Sequence, residues 1–145
     1  MSSAISKRRL KMWLHLFAAT RVAEGKLREF LRTGLDTTLP RFDVMAALWR
    51  RPKGVSMSEL SRMLLVSNGN ATAVVDRLEK DGLVLRTPSE TDRRTIFVSL
   101  TEQGRTTFET WAIAHEAEVD RIFDHLDEPE LELLTNILMR IEGAK

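Results

Sequence analysis

Residues 67 to 101 read SNGNATAVVDRLEKDGLVLRTPSETDRRTIFVSLT, and the reading of this stretch decides the fold. Apolar residues at Ala71, Val74, Val75 and Leu78 recur at three-and-four spacing, which gives a helix over about 68–81 one buried face and one polar face. Gly82 stands just past the helix end, where a residue of positive φ turns the chain away. Leu83 to Thr87 and Thr95 to Leu100 are rich in β-branched and apolar residues, with Ile96, Val98 and Leu100 alternating against Phe97 and Ser99. A hairpin is therefore predicted over about 83–100. The polar run Pro88 to Arg94 between its strands predicts a projecting loop with Arg93 and Arg94 on its returning side.

The preceding segments position this helix and hairpin. Ser56-Met57-Ser58-Glu59 has capping-box spacing, in which the serine hydroxyl and the glutamate carboxylate satisfy free backbone donors at a helix start. That short helix carries Leu60, Met63 and Leu64 on one stripe, and Val66-Ser67 leaves only a tight connection to the next helix. Two short helices so joined and followed by a hairpin predict a winged helix-turn-helix over 39–101. Pro40 suits the first turn of the helix before them, which buries Phe42, Val44, Met45, Leu48 and Trp49 and ends before Pro52 and Gly54.

The chain ends read as long helices. From Ser6 to Arg32, residues including Leu10, Trp13, Leu14, Phe17, Val22, Leu27 and Phe30 occupy more than one stripe, which is more apolar surface than one core contact needs. A partner helix is implied, most economically from a second copy of the chain. Thr101 can cap a helix running to about Leu126, roughly 39 Å long at about 1.5 Å per residue. Pro129 starts a last helix with Leu131, Leu134, Leu138 and Ile141 at near-heptad spacing. The expected architecture is one domain over 1–145, mainly α with a small β wing, in which 6–35 and 102–145 form a helical dimerisation region.

Composition narrows the function classes. With 145 residues, 43% of them apolar, the chain can bury a core of its own. No apolar run approaches the ~20 residues that span a bilayer, and MSSAISKRRLK lacks a secretory apolar region, so a cytoplasmic protein with no membrane partner is expected. The absence of cysteine rules out disulfides, thiolate metal sites and thiol redox sensing. A net charge of +1 conceals 18 Lys plus Arg against 10 Asp plus Glu in residues 1–101, and 4 against 11 in residues 102–145. Either one end of the molecule meets a polyanion, or the asymmetry is a chance distribution of solvated charge. There is no nucleophile elbow, phosphate-binding Gly-rich loop, paired catalytic carboxylates or HExxH, so no enzyme and no cofactor are expected. His15, His115 and His125 are far apart, and no metal site is expected.

The run Asp92-Arg93-Arg94, five further residues, then Leu100-Thr101 with Gly104 beyond, resembles the wing signature of the multiple antibiotic resistance regulator (MarR) family. Asp76-Arg77-Leu78-Glu79 with Gly82-Leu83-Val84 resembles that family's end of the recognition helix, and the order of elements is similar over nearly the whole chain. The resemblance implies an obligate homodimer with one winged helix-turn-helix per subunit, which represses genes and releases DNA when a small ligand binds between that module and the dimerisation region. Leu39-Pro40-Arg41-Phe42-Asp43-Val44-Met45 and Ser67-Asn68-Gly69-Asn70-Ala71-Thr72 are similar to segments of members that control breakdown of hydroxycinnamates and related aromatic acids, some of which respond to the acyl-CoA thioester.

Candidate site residues follow. Asn68, Asn70, Thr72, Ala73, Asp76 and Arg77 fall off the buried face of the recognition helix. Asn can bind adenine bidentately, Arg can bind guanine, and Thr or Ala can touch a thymine methyl. Gly69 keeps bulk away from the backbone there. Alternatively, Ser67, Asn68 and Asn70 cap the helix and Arg77 pairs with Asp81. Arg93 and Arg94 suit the minor groove, and by resemblance to the family Asp92 orients the wing arginine, Arg94 foremost, through a salt bridge. Trp13, Phe17, Phe42, Trp49, Trp111 and His115 come from helices expected to meet between the two regions, where aromatic walls suit a planar ligand; they equally suit ordinary core. Arg21 or Arg41 can hold a carboxylate or phosphate. The expected partners are double-stranded DNA carrying an inverted repeat, a second copy of the chain, and an effector that is an aromatic carboxylate or its CoA thioester. An architectural DNA-binding protein of little sequence preference, or a regulator of efflux and drug response, are the alternatives.

Overall fold

A computed structural model of the chain describes residues 3–64, 68–92 and 94–143. Helix α1 (Ala4–Gly34) starts earlier than its apolar pattern predicts because Ser3 caps it, the Ser3 hydroxyl accepting from the Ser6 amide at 3.0 Å. It ends where the amides of Leu35 and Thr37 both donate to the Leu31 carbonyl, with Asp36 at φ 50° in the left-handed region that Asp tolerates better than most residues. Helix α2 (Leu39–Trp49) is capped by Thr38 and has Pro40 in its first turn. A two-residue strand, β1 (Val55–Ser56), precedes α3 (Met57–Leu64) and α4 (Asn68–Lys80). The hairpin of β2 (Val84–Pro88) and β3 (Ile96–Leu100) leads to α5 (Glu102–Ile122) and α6 (Glu128–Glu142).

Several boundaries differ from those expected. The sheet has order β1-β3-β2, all antiparallel, with Val55 opposite Val98 and Val84 opposite Leu100; β1 is too short to show a pattern in the sequence. Strand β2 runs through Pro88, which pairs with Ile96 rather than opening the loop. An edge strand tolerates proline because one row of its amides needs no ladder partner. Of the capping box at Ser56, the serine half is present, its hydroxyl accepting from the Glu59 amide at 3.1 Å, whereas the Glu59 carboxylate faces Arg51 at 3.8 Å. Helix α5 stops at Ile122, not near Leu126, with the Phe123 amide closing on the Val119 carbonyl. The last helix does carry a complete capping box, Asp127 with Glu130.

The core lies where α2, α4, α5 and the sheet converge. Leu31, Met45, Leu48, Leu60, Val75, Leu78, Val98 and Phe108 are buried together there. Each aliphatic side chain so placed stabilises the fold by about 1.5–3 kcal/mol before entropy is counted. Only Leu31 of α1 is buried, and α6 buries none of its residues. Trp13, Leu14 and Phe17 on α1, and Leu133, Leu134 and Ile141 on α6, are large, apolar and exposed.

Candidate nucleic-acid interface

Helix α4 presents two faces. Ala71, Val75 and Leu78 are buried against α2 and the sheet, while Gly69, Asn70, Thr72, Ala73, Asp76 and Arg77 are exposed. Asn70, Thr72, Ala73 and Arg77 are therefore on the solvent side of α4, with Asn70 and Ala73 at the rim of a cleft that Pro40 and Asp43 of α2 also line. Ser67, Arg93 and the connection through Val66 lie outside the described residues, as does the side chain of Asn68.

Two arginines fix how α4 is held, and periodicity marks neither for that role. Arg86, on β2, donates through Nη2 to Asp76 Oδ1 at 2.5 Å and through Nη1 to Glu79 Oε1 at 2.9 Å, and its amide donates to Glu79 Oε2 at 3.1 Å. Its pKa is raised: burial works against the charge, but the hydrogen bonds and proximity of Asp76 and Glu79 outweigh it. Arg41, on α2, donates through Nη2 to Asp81 Oδ2 at 2.5 Å, and Arg77 Nε lies 3.9 Å from the same oxygen. Asp76 is thus committed to the hairpin. Arg77 is exposed apart from that long contact. Asp76 and Glu79, three residues apart on one helix face, were the signal for an arginine clasp, but its donor could not be chosen from sequence.

The far end of α4 is locked to the wing and to α5. Gly82 takes φ 80°, as its position predicts, and the Leu83 amide returns to the Leu78 carbonyl at 3.0 Å. The Thr101 hydroxyl donates to the Gly82 carbonyl at 2.7 Å and accepts from the Gly104 amide at 2.9 Å, so one side chain caps α5 and ties down the recognition helix. A Cβ on Gly104 would come within 2.0 Å of the Leu83 carbonyl oxygen, which explains the glycine three residues after that threonine.

Among its described residues, the loop between β2 and β3 is organised by its own side chains. Ser89 Oγ accepts from the amides of Thr91 and Asp92, both at 3.2 Å. Asp92 Oδ1 accepts from the Arg94 amide at 3.0 Å, and Asp92 Oδ2 from the Thr95 hydroxyl at 3.2 Å. Asp92 therefore sets the direction of Arg94 through its backbone; among the described residues the expected salt bridge to the Arg94 guanidinium is not formed. Short Asx turns of this kind need one amide and little reach. The Arg94 side chain is exposed at the tip.

The residues expected to wall a ligand pocket fall into two groups. Trp13 and Phe17 pack on each other at 5.6 Å, with the Arg21 guanidinium 4.6 Å over the Phe17 ring, on exposed α1. Phe42 stacks on His115 at 4.2 Å and meets Phe108 at 5.4 Å, which in turn meets Trp49 at 5.5 Å; Phe42 and Trp111 are core. Arg41 is engaged with Asp81. Of these candidates His115 lines a cleft of about 530 Å³ between α1, α2, α3 and α5, together with Glu24, Leu27, Arg28, Leu39, Pro40, Asp43 and Leu64. A second cleft of about 400 Å³, between α2 and the first turns of α4, shares Pro40, Asp43 and Leu64 with it and reaches Asn70 and Ala73. Partial burial lowers the pKa of His115, and partial burial with Glu24 nearby raises that of Asp43. Asp43 and Glu24 escaped the sequence reading, although an acid inside the apolar run Phe42 to Leu48 was a visible cue. Among the described residues no cluster of three or more His, Asp or Glu could hold a metal ion, and no helix is long and apolar enough to cross a membrane.

Known proteins share this arrangement. The MarR family model matches residues 37–96. The HTH-type transcriptional regulator MhqR of Bacillus subtilis is 30% identical over 138 residues, covering 94% of this chain and 93% of that protein. A MarR family transcriptional regulator from Silicibacter pomeroyi is 29% identical and superposes with a TM-score of 0.83 over 99% of both chains. A mutant MarR from E. coli complexed with operator DNA is 25% identical, with a TM-score of 0.77 over 97% of this chain and 99% of that one. An exposed recognition-helix face, a wing beside it and similarity along nearly the full length together place this chain among DNA-binding regulators of transcription rather than enzymes: it belongs to the MarR family.

Proposed function

We propose that the protein is a repressor that binds an inverted-repeat operator as a homodimer and lets go when an aromatic carboxylate or its CoA thioester binds between the long helices and the DNA-binding lobe. The observation that carries the DNA-binding half is that Asn70, Thr72 and Arg77 on α4 and Arg94 on the wing are all exposed, while Arg86, Arg41 and Thr101 tie α4 to the hairpin, to α2 and to α5. The apolar faces of α1 and α6 support pairing of the chain ends, the segments 6–35 and 102–145, because apolar areas of that extent on a monomer mark an interface. The operator complex of the E. coli relative supports the same reading. The cleft beside His115 and Asp43 supports an effector site, since its walls come from both the long helices and the lobe, and a ligand there can favour one spacing of the two.

Footprinting on the promoter of the protein's own or adjacent genes, combined with sedimentation, tests this. A dimer protecting two half-sites about one helical turn apart is expected. Protection of most duplexes within a few fold would instead support an architectural protein, since a specific regulator gains roughly 10³ or more on its operator. Release of DNA by unrelated drugs but by no aromatic acid or thioester would support the drug-response alternative.

A further inference from the structure

The cleft between α1, α2, α3 and α5 has a polar wall made chiefly of acceptors. Asp43 and Glu24 contribute carboxylates, and the one cation among the described lining residues, Arg28, already donates its Nη2 to Glu24 Oε2 at 2.9 Å. His115, held against the Phe42 ring, brings one N–H and one lone-pair nitrogen when neutral. Among the described residues none hydrogen-bonds Asp43, which faces the open space of the cleft. Leu27, Leu39, Pro40 and Leu64 make the remaining wall apolar. Arg21 and Arg41, the two guanidiniums that would have matched a carboxylate, are turned to Phe17 and Asp81.

A ligand carboxylate placed here would confront the Asp43 carboxylate, and among the described lining residues the single guanidinium, Arg28, already answers Glu24, whereas a hydroxyl would find acceptors waiting. About 530 Å³ is room for a substituted aromatic ring with a short side chain. We propose that the effector enters this cleft by a hydroxylated aromatic ring whose phenolic O–H donates to Asp43, with its carboxylate or thioester end directed out of the cleft. Partial burial, with the Glu24 charge nearby, raises the Asp43 pKa, in keeping with a carboxylate set into the wall of this cleft. This inference rests on the reading of the cleft as the effector site.

The test uses the full chain in complex with its operator. Cinnamate, 4-hydroxycinnamate and 4-methoxycinnamate, each as free acid and as CoA thioester, are titrated into the complex while DNA release is followed by fluorescence anisotropy, and into DNA-free protein by calorimetry. Within each series the 4-hydroxy compound should bind about 10- to 100-fold more tightly than the other two, the span of one hydrogen bond to a charged acceptor. Asp43→Leu should bring that ratio close to one, and Asp43→Asn, which keeps the shape of the side chain, should reduce it. Compounds that release DNA with no preference for the hydroxyl, or a preference that survives both substitutions, would overturn the proposal while leaving the regulator effector-responsive. If none of the six compounds binds the DNA-free protein, the proposal and the aromatic-effector reading fall together.

Discussion

Arg41 and Asp81, 40 residues apart in sequence, meet at 2.5 Å and tie α2 to the end of the recognition helix. Helix α2 is also a wall of both clefts through Pro40 and Asp43, so this ion pair is a direct polar link between the helix that lines the candidate effector site and the recognition helix. Arg41→Ala should cost about 1–2 kcal/mol of stability, less than a fully buried pair because the Asp81 side chain stays 39% exposed. In a double-mutant cycle with Asp81→Ala, followed by urea unfolding, most of that loss should appear as coupling between the two. Strictly additive losses would show that the contact contributes nothing.

Gly104→Ala should be among the most damaging single substitutions in the chain. The added methyl would lie 2.0 Å from the Leu83 carbonyl oxygen and 3.0 Å from its carbon, and backbone cannot swing aside as a side chain can. A loss of about 3 kcal/mol or more is expected, since α5 must shift from the hairpin. Thr101→Val, which removes the cap and the bond to the Gly82 carbonyl, should cost about 1–2 kcal/mol. Thermal unfolding checks both, and a parental midpoint for Gly104→Ala would mean that α5 slides freely over Leu83.

Arg94→Ala should weaken binding to every duplex alike and lower the salt slope by about one if one phosphate contact is lost. Asn70→Ala and Arg77→Ala should instead change which bases are preferred, a difference visible by selection from random duplexes. Stability should hardly move in Arg77→Ala, because its contact to Asp81 is exposed and 3.9 Å long. An unchanged binding motif in both helix variants would assign those residues to capping and surface roles.

The two perturbed groups beside the larger cleft act in opposite senses on stability. His115 has a folded-state pKa below 6.5, so the unfolded chain takes up that proton first; its contribution is complete above pH 6.5 and is lost as pH falls through the folded value. Asp43 has a folded-state pKa above 3.8, so it costs nothing below pH 3.8, and its penalty grows as pH rises through the folded value to become complete near neutrality. Asp43→Asn should therefore raise the melting temperature at neutral pH and leave it unchanged below pH 3.8. His115→Gln should flatten the loss of stability just below pH 6.5. Parallel pH profiles for parent and variants would remove both groups from the linkage.

Much of the DNA-binding module was legible because it rests on near-neighbour physics. The stripe Ala71, Val74, Val75 and Leu78, the stop at Gly82 and the cap at Thr101 depend on residues within a turn or two of one another, and the structure shows each where its spacing predicts. Boundaries were misread where tertiary pairing overrode local signals. Pro88 stays in its strand because β2 is an edge, and β1 exists only because β3 lies beside it. Asp92 was expected to pair foremost with the Arg94 guanidinium, and among the described residues it holds the Arg94 amide instead, since the turn delivers that donor first.

The sequence by itself determined the order of elements, the exposed face of the recognition helix and the surplus of apolar surface on the terminal helices, all of which follow from periodicity, capping and composition. Only the tertiary structure decided that Arg86 clasps Asp76 and Glu79, that Arg41 is spent on Asp81, and that Trp13 and Phe17 stand apart from Phe42 and His115. A charged or aromatic side chain carries no address in its local pattern: its partner is set by which helices cross near it, and that crossing is fixed by burial of the core as a whole.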